Sequence, residues 1–91
     1  MRLKGKVAII TGASQGIGEA TAVRFAEEGA LVILVARREK ELARVSSRIN
    51  ESGGKAFFYP VDVSDESAVK QLIEDVALDH GKIDILKMLN L

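Results

Sequence analysis

From Val7 to Ala26 the chain passes directly from a buried-strand pattern, through a glycine-rich turn, into a helix pattern, and this junction narrows the folds open to it. Val7, Ala8, Ile9 and Ile10 form an apolar run. Thr11-Gly12-Ala13-Ser14-Gln15-Gly16-Ile17-Gly18 follows at once, and residues at helical spacing continue to Glu28. Each glycine has its own task in such a junction. Gly12 ends the strand with a backbone freedom that a side chain would deny. Gly16 lets a pyrophosphate approach the main chain, and Gly18 lets the helix lie tight against the strand. The free N–H groups and positive dipole end of the new helix then face the anion. A plain glycine loop is the alternative, but the strand before and the helix after supply the context that a phosphate site needs. Glycines at 12, 16 and 18 do not fit G-x-G-x-x-G, and no G-x-x-x-x-G-K-[ST] is present, which argues against a P-loop NTPase.

The rest of the chain repeats the alternation. A helix over 16–28 places Ile17, Ala20, Val23 and Ala26 broadly on one side, with Glu19, Arg24, Glu27 and Glu28 as wet positions, and stops at Gly29. A second strand over 31–36 is apolar on both faces, as a strand buried in a parallel sheet should be. Leu42, Val45 and Ile49 give a second helix over 39–52, ending at Gly53-Gly54. A third strand over 56–61 contains Pro60, which limits pairing near its end. Ser64 or Asp65 caps a third helix whose buried stripe is Val69, Leu72, Ile73 and Val76, and residues 83–86 form a fourth strand. The expected architecture is α/β: half of a doubly wound, Rossmann-type parallel sheet in the order 3-2-1-4 with three helices, its glycine loop at the switch point.

Thr-Gly-x-x-x-Gly-x-Gly resembles the short-chain dehydrogenase/reductase family, and the resemblance runs from Leu3-Lys4-Gly5-Lys6-Val7 to Leu86. It implies a nicotinamide dinucleotide on Gly12, Ser14, Gln15, Gly16, Ile17 and Gly18, with Ser14 at the ribose or its phosphate and Ile17 near the nicotinamide end. The family's usual spacing puts Ala36 where NAD-binding members carry an acid for the ribose 2′-OH. Arg37 and Arg38 come next. Without a carboxylate to repel it, and with a guanidinium to meet it, the 2′-phosphate of NADP is favoured over NAD. The alternative is that both arginines merely solvate a strand-to-helix turn. Gln15 departs from the many NADP members that have a basic residue before the second glycine. Asp62 and Val63 match the family's Asp-Val pair at the adenine; alternatively, Asp62 only caps its turn.

Composition excludes several classes. Thirteen basic and thirteen acidic residues cancel, so no net field recruits nucleic acid or an anionic membrane. No cysteine is present, which removes thiolate catalysis and thiolate metal sites; no metal set is expected. The opening apolar run is too short for a signal or a spanning helix, so a cytoplasmic location is the expectation. Ninety-one residues make one domain at most and bury about 60 to 65% of the unfolded surface.

No catalytic residue is assigned. The family's active site uses Tyr-x-x-x-Lys, yet Tyr59 is the only tyrosine and Val63 stands four beyond it. His80, in the last turn of a helix, is expected to settle on the negative dipole end. Ser46, Ser47 and Ser52 read as surface positions without a partner base. The family continues past its fourth strand with Asn-Asn-Ala-Gly, whereas residues 87–91 are Lys-Met-Leu-Asn-Leu, a tail that departs from the pattern.

Residues 1–86 therefore read as the cofactor-binding half of a short-chain oxidoreductase, a fragment or the product of a shifted reading frame, and not a competent dehydrogenase alone. The alternative is a non-catalytic, self-assembling nucleotide-binding module; a different doubly wound enzyme would have to match the glycine spacing and Asp62-Val63 by coincidence. An open fourth-strand edge and a sheet face lacking helices are expected to make a homo-oligomer.

Overall fold

The computed structural model describes residues 1–89. The elements are β1 (Val7–Thr11), α1 (Gly16–Glu27), β2 (Leu31–Ala36), α2 (Glu39–Glu51), β3 (Lys55–Pro60), α3 (Glu66–His80) and β4 (Ile85–Lys87). All pairings are parallel, as the alternation implied, and the strand order is β3-β2-β1-β4, the order expected for a dinucleotide-binding fold. With β1 central, the loop leaving it emerges between the strands that turn to opposite sides of the sheet.

Alternate residues of the strands feed two cores. Ala8, Ile10, Val32 and Leu34 pack on α1 and α2 through Ala22, Ala26, Leu42, Val45 and Ile49. Val7, Ile9, Ile33 and Val35 pack on Leu72 and Val76 of α3. The face expected to lack helices is thus covered at its centre. A helix about 10 Å across spans about two strands spaced 4.8 Å apart, so α3 seals β1 and β2 and leaves the flanks. There, Leu86, the register partner of Ile9, is 51% exposed, and Phe57, the partner of Ile33, is 48% exposed.

Three other expectations need correction. The buried stripe of α1 is Gly18, Ala22 and Ala26, one small residue per turn, while Ile17 and Ala20 face outward. Small side chains let α1 approach the sheet closely, and that approach, not side-chain size, decides which face turns inward. Ser46 is buried, because its hydroxyl donates to the Ala56 carbonyl at 3.3 Å. Asn50 completes this contact: its Oδ1 accepts from the Ala56 amide at 2.9 Å and its Nδ2 donates to the Ala56 carbonyl at 3.1 Å, so a side-chain amide occupies part of the outer edge of β3. β3 runs from Lys55 to Pro60, one residue earlier at each end than the expected 56–61, and the amide after Pro60, that of Val61, donates to the Ala36 carbonyl at 2.9 Å.

β4 begins two residues later than the apolar run suggests. The Val7 amide donates to a carboxylate oxygen of Asp84 at 2.8 Å, where a ladder carbonyl would otherwise sit, and regular pairing starts only at Ile85 opposite Ala8. That amide first, then Lys82, holds the Asp84 carboxyl below its ordinary 3.8. The folded value lies below the unfolded one, so this stabilisation is complete above pH 3.8 and is lost as the pH falls through the lower folded value. Asp84→Asn is therefore expected to lower the urea midpoint at neutral pH and to flatten its fall in acid. An unchanged acid profile would contradict that role.

Candidate functional site

The glycine turn takes the shape its spacing implies. Gly12 and Gly16 have φ of +64° and +58°, in the left-handed region that glycine adopts without strain. A Cβ on Gly18 would lie 1.7 Å from the Gly12 carbonyl oxygen, so the first turn of α1 touches the end of β1 at a distance only glycine permits. The Ala13 amide donates to Val35 at 3.3 Å, fixing the turn to β2. Beyond it, the amides of Ser14, Gln15, Gly16, Ile17 and Gly18 donate to no protein acceptor among the described residues. Gln15 sits at the cap position of α1 and makes no side-chain cap bond. The result is a run of free donors at the positive end of a twelve-residue helix, an arrangement suited to a diphosphate.

Ser14 and Gln15 of this run line a cleft of about 390 Å³ at the C-terminal ends of the strands. Gly12, Ser14 and Gln15 form one wall, Arg37 and Arg38 follow β2 on the second, and Val61, Asp62 and Val63 follow β3 on the third. Seven of the residues singled out from sequence thus meet around one space. Gly16, Ile17 and Gly18 stand outside its lining, at the helix start, with Ile17 69% exposed. Arg37 and Arg38 are exposed and make no ion pair among the described residues.

Asp62 does cap its turn. One oxygen accepts from the Ser64 hydroxyl at 2.7 Å and from the Ser64 amide at 2.9 Å, while Asp65 caps α3 by accepting from Ala68 at 3.2 Å. The Ser64 hydroxyl, then its amide, holds the Asp62 carboxyl below its usual range, with Arg37 adding a smaller effect. Capping leaves the second carboxylate oxygen of Asp62 for a ligand in the cleft, so the two roles do not compete.

Glu19, Arg44 and Arg48 were not legible in the sequence as participants. Glu19 is not a wet position: Arg44 Nη2 lies 2.9 Å from one of its oxygens and Arg48 Nη1 2.8 Å from the other. The Arg44 contact, more than that of Arg48, holds the Glu19 carboxyl low against the opposing effect of burial. Arg44 Nη2 also donates to the Ser14 carbonyl of the loop at 3.3 Å. Thr11 Oγ1 accepts from the Leu89 amide at 2.9 Å, bringing Leu89 to the cleft. A pairing of α1 with α2 across 25 residues has no local signature; Thr11, in the motif itself, was the one available signal.

Tyr59 and His80 lie elsewhere, where β3 meets the end of α3. The Tyr59 hydroxyl donates to Asp79 at 2.8 Å and lies 3.4 Å from His80 Nε2, and the His80 ring packs against Phe57 at a tilt of 52° with centroids 4.7 Å apart. Burial, then Asp79, pushes the Tyr59 phenol up to about 12, opposite to what a phenol that exchanges protons near neutrality requires.

Known proteins share the fold. The chain is 45% identical to an uncharacterized oxidoreductase of Listeria innocua over 94% of its own length and 35% of the relative's. Among solved structures, a metagenomic short-chain oxidoreductase in complex with NADP superposes with a TM-score of 0.91 at 38% identity, over 94% of this chain and 39% of that one. An NAD+-bound xylitol dehydrogenase superposes at 0.90 with 40% identity, over 94% and 33%. The chain thus spans about a third of the length of the relatives it matches, and its neighbours hold either dinucleotide. No helix among the described residues is long and apolar enough to cross a membrane. The sheet order, the close Gly12–Gly18 contact and a match to the short chain dehydrogenase profile over residues 6–90 agree: the chain belongs to the short-chain dehydrogenase/reductase family.

Proposed function

We propose that this chain is the NADP-binding portion of a short-chain oxidoreductase, an enzyme that moves a hydride between NADP(H) and a carbonyl or alcohol. The carrying observation is the run of unengaged amides from Ser14 to Gly18 beside a cleft whose second wall is Arg37 and Arg38. In this reading the loop amides hold the diphosphate, Arg37 and Arg38 meet the 2′-phosphate, Asp62 and Val63 border the adenine, and Ile17 stands toward the nicotinamide. In this reading residues 1–91 alone bind the dinucleotide without completing the transfer, since no tyrosine, histidine or lysine is among the described residues that line the cleft. A cytoplasmic location, which a cysteine-free chain permits, belongs to the same reading.

Fluorescence titration with NADPH and NADH tests it. Tighter binding of NADPH is expected; equal affinity would remove the Arg37 argument, and no binding of either would remove the function.

The second reading is a non-catalytic module that assembles with copies of itself. The half-exposed Leu86 beside the outer edge of β4 favours it, since an unpaired apolar strand edge is a pairing surface. Sedimentation at micromolar concentration should then show a dimer or larger species, and a clean monomer would oppose it.

A further inference from the structure

We propose that Arg44 is a positioning residue for the phosphate-binding loop: held by Glu19 of α1, it grips the Ser14 carbonyl from α2 and thereby aims the following amide at the anion. The inference rests on the dinucleotide reading above.

The loop needs such a hold. It pivots on Gly12 and Gly16, both in the left-handed region. Between those pivots, the carbonyls of Ser14 and Gln15 accept only from Arg44 and from the Glu19 amide, at 3.3 Å each, among the described residues. In a trans peptide the carbonyl and the next N–H point in opposite directions. A Ser14 carbonyl fixed on Arg44 therefore sends the Gln15 amide away from α2, and Gln15 lines the cleft. Once released, the peptide can rotate between its glycines and offer an oxygen to the anion in place of a donor.

Arg44 does not bind phosphate itself. Its Nε is on Glu41 at 3.3 Å, its Nη1 on Glu19 at 3.2 Å, and its Nη2 is shared between Glu19 and Ser14. It also does not line the cleft. Arg48 serves as the internal control, since it pairs with Glu19 at 2.8 Å but, among the described residues, makes no hydrogen bond to the loop.

The test titrates inorganic pyrophosphate, NADPH and NADH into the full chain and its Arg44→Met, Arg44→Lys and Arg48→Met variants, with melting and Gln15 amide exchange measured alongside. Arg44→Met is expected to weaken all three ligands by a similar factor, about five- to tenfold, leaving the NADPH-to-NADH ratio unchanged and the Gln15 amide exchanging faster. Arg44→Lys, which keeps the charge and loses the fork, should fall between and stands in if Arg44→Met does not fold. Arg48→Met should melt lower with affinity retained. Undiminished binding by the Arg44 variants, with only the melting point lowered, overturns the positioning role and leaves the functional reading intact. A native chain that binds none of the ligands overturns both.

Discussion

Gly18→Ala is expected to cost about 3 kcal/mol or more of stability and to lower the melting temperature by about 12 to 24 °C, as read by circular dichroism. The added methyl would sit 1.7 Å from the Gly12 carbonyl oxygen, a backbone atom that cannot swing aside, so either α1 lifts from β1 or the strand end distorts. Both moves open the packing of Ala22 and Ala26 against Ala8 and Ile10, the buried centre of the sheet. A domain of this length has about 5 to 14 kcal/mol in hand, which makes the loss a large share of the total. Gly16→Ala makes the contrast. A Cβ there meets nothing within 4 Å, so only the left-handed φ of +58° is strained, at about 1 kcal/mol. That variant should fold and yet bind dinucleotide poorly, because its methyl stands on the open side of the helix start. Equal stability of Gly18→Ala and the native chain would show that the close contact does not hold the fold together.

The second large effect concerns the choice of dinucleotide. Arg37→Asp is expected to weaken NADPH by one to two orders of magnitude and to leave NADH unchanged or slightly tighter, measured by fluorescence titration. The guanidinium follows β2 at the cleft and, among the described residues, makes no ion pair that would compete with a phosphate. The replacement carboxylate would repel the 2′-phosphate and accept from a 2′-hydroxyl instead. If NADPH and NADH lose affinity together, Arg37 serves the turn and not the choice of cofactor.

How much of this was readable in the residues follows from the range of the interactions. The junction from β1 into α1 depends on neighbours within a dozen residues, and its pattern of apolar run, glycines and helix spacing carried both the fold and the turn's geometry. Alternation carried the parallel sheet, and the dinucleotide-fold reading of the glycine loop carried its strand order. The inward face of α1 was misread because Ile17 is apolar, while the contact at Gly18 rotates the helix so that Ala22 and Ala26 face the sheet. β4 was misplaced because a side chain of residue 84 bonds the amide of residue 7, a contact that periodicity along β4 cannot reveal. Glu19, Arg44 and Arg48 each look like surface charges in isolation. Only the packing of α1 beside α2 makes them one cluster and puts Arg44 on the loop. Asp62 shows the opposite case, since its local turn and its place in the cleft could both be expected from one Asp-Val-Ser sequence.

The central claim is that main-chain amides at the start of α1 hold a diphosphate. Titrating isotope-labelled chain with NADPH and following the backbone amides by NMR tests it most directly. The account predicts that Ser14, Gln15, Gly16, Ile17 and Gly18 shift first and furthest, with inorganic pyrophosphate moving the same set. Shifts confined to the surroundings of Arg37 and Arg38, with those five amides unmoved, would contradict it.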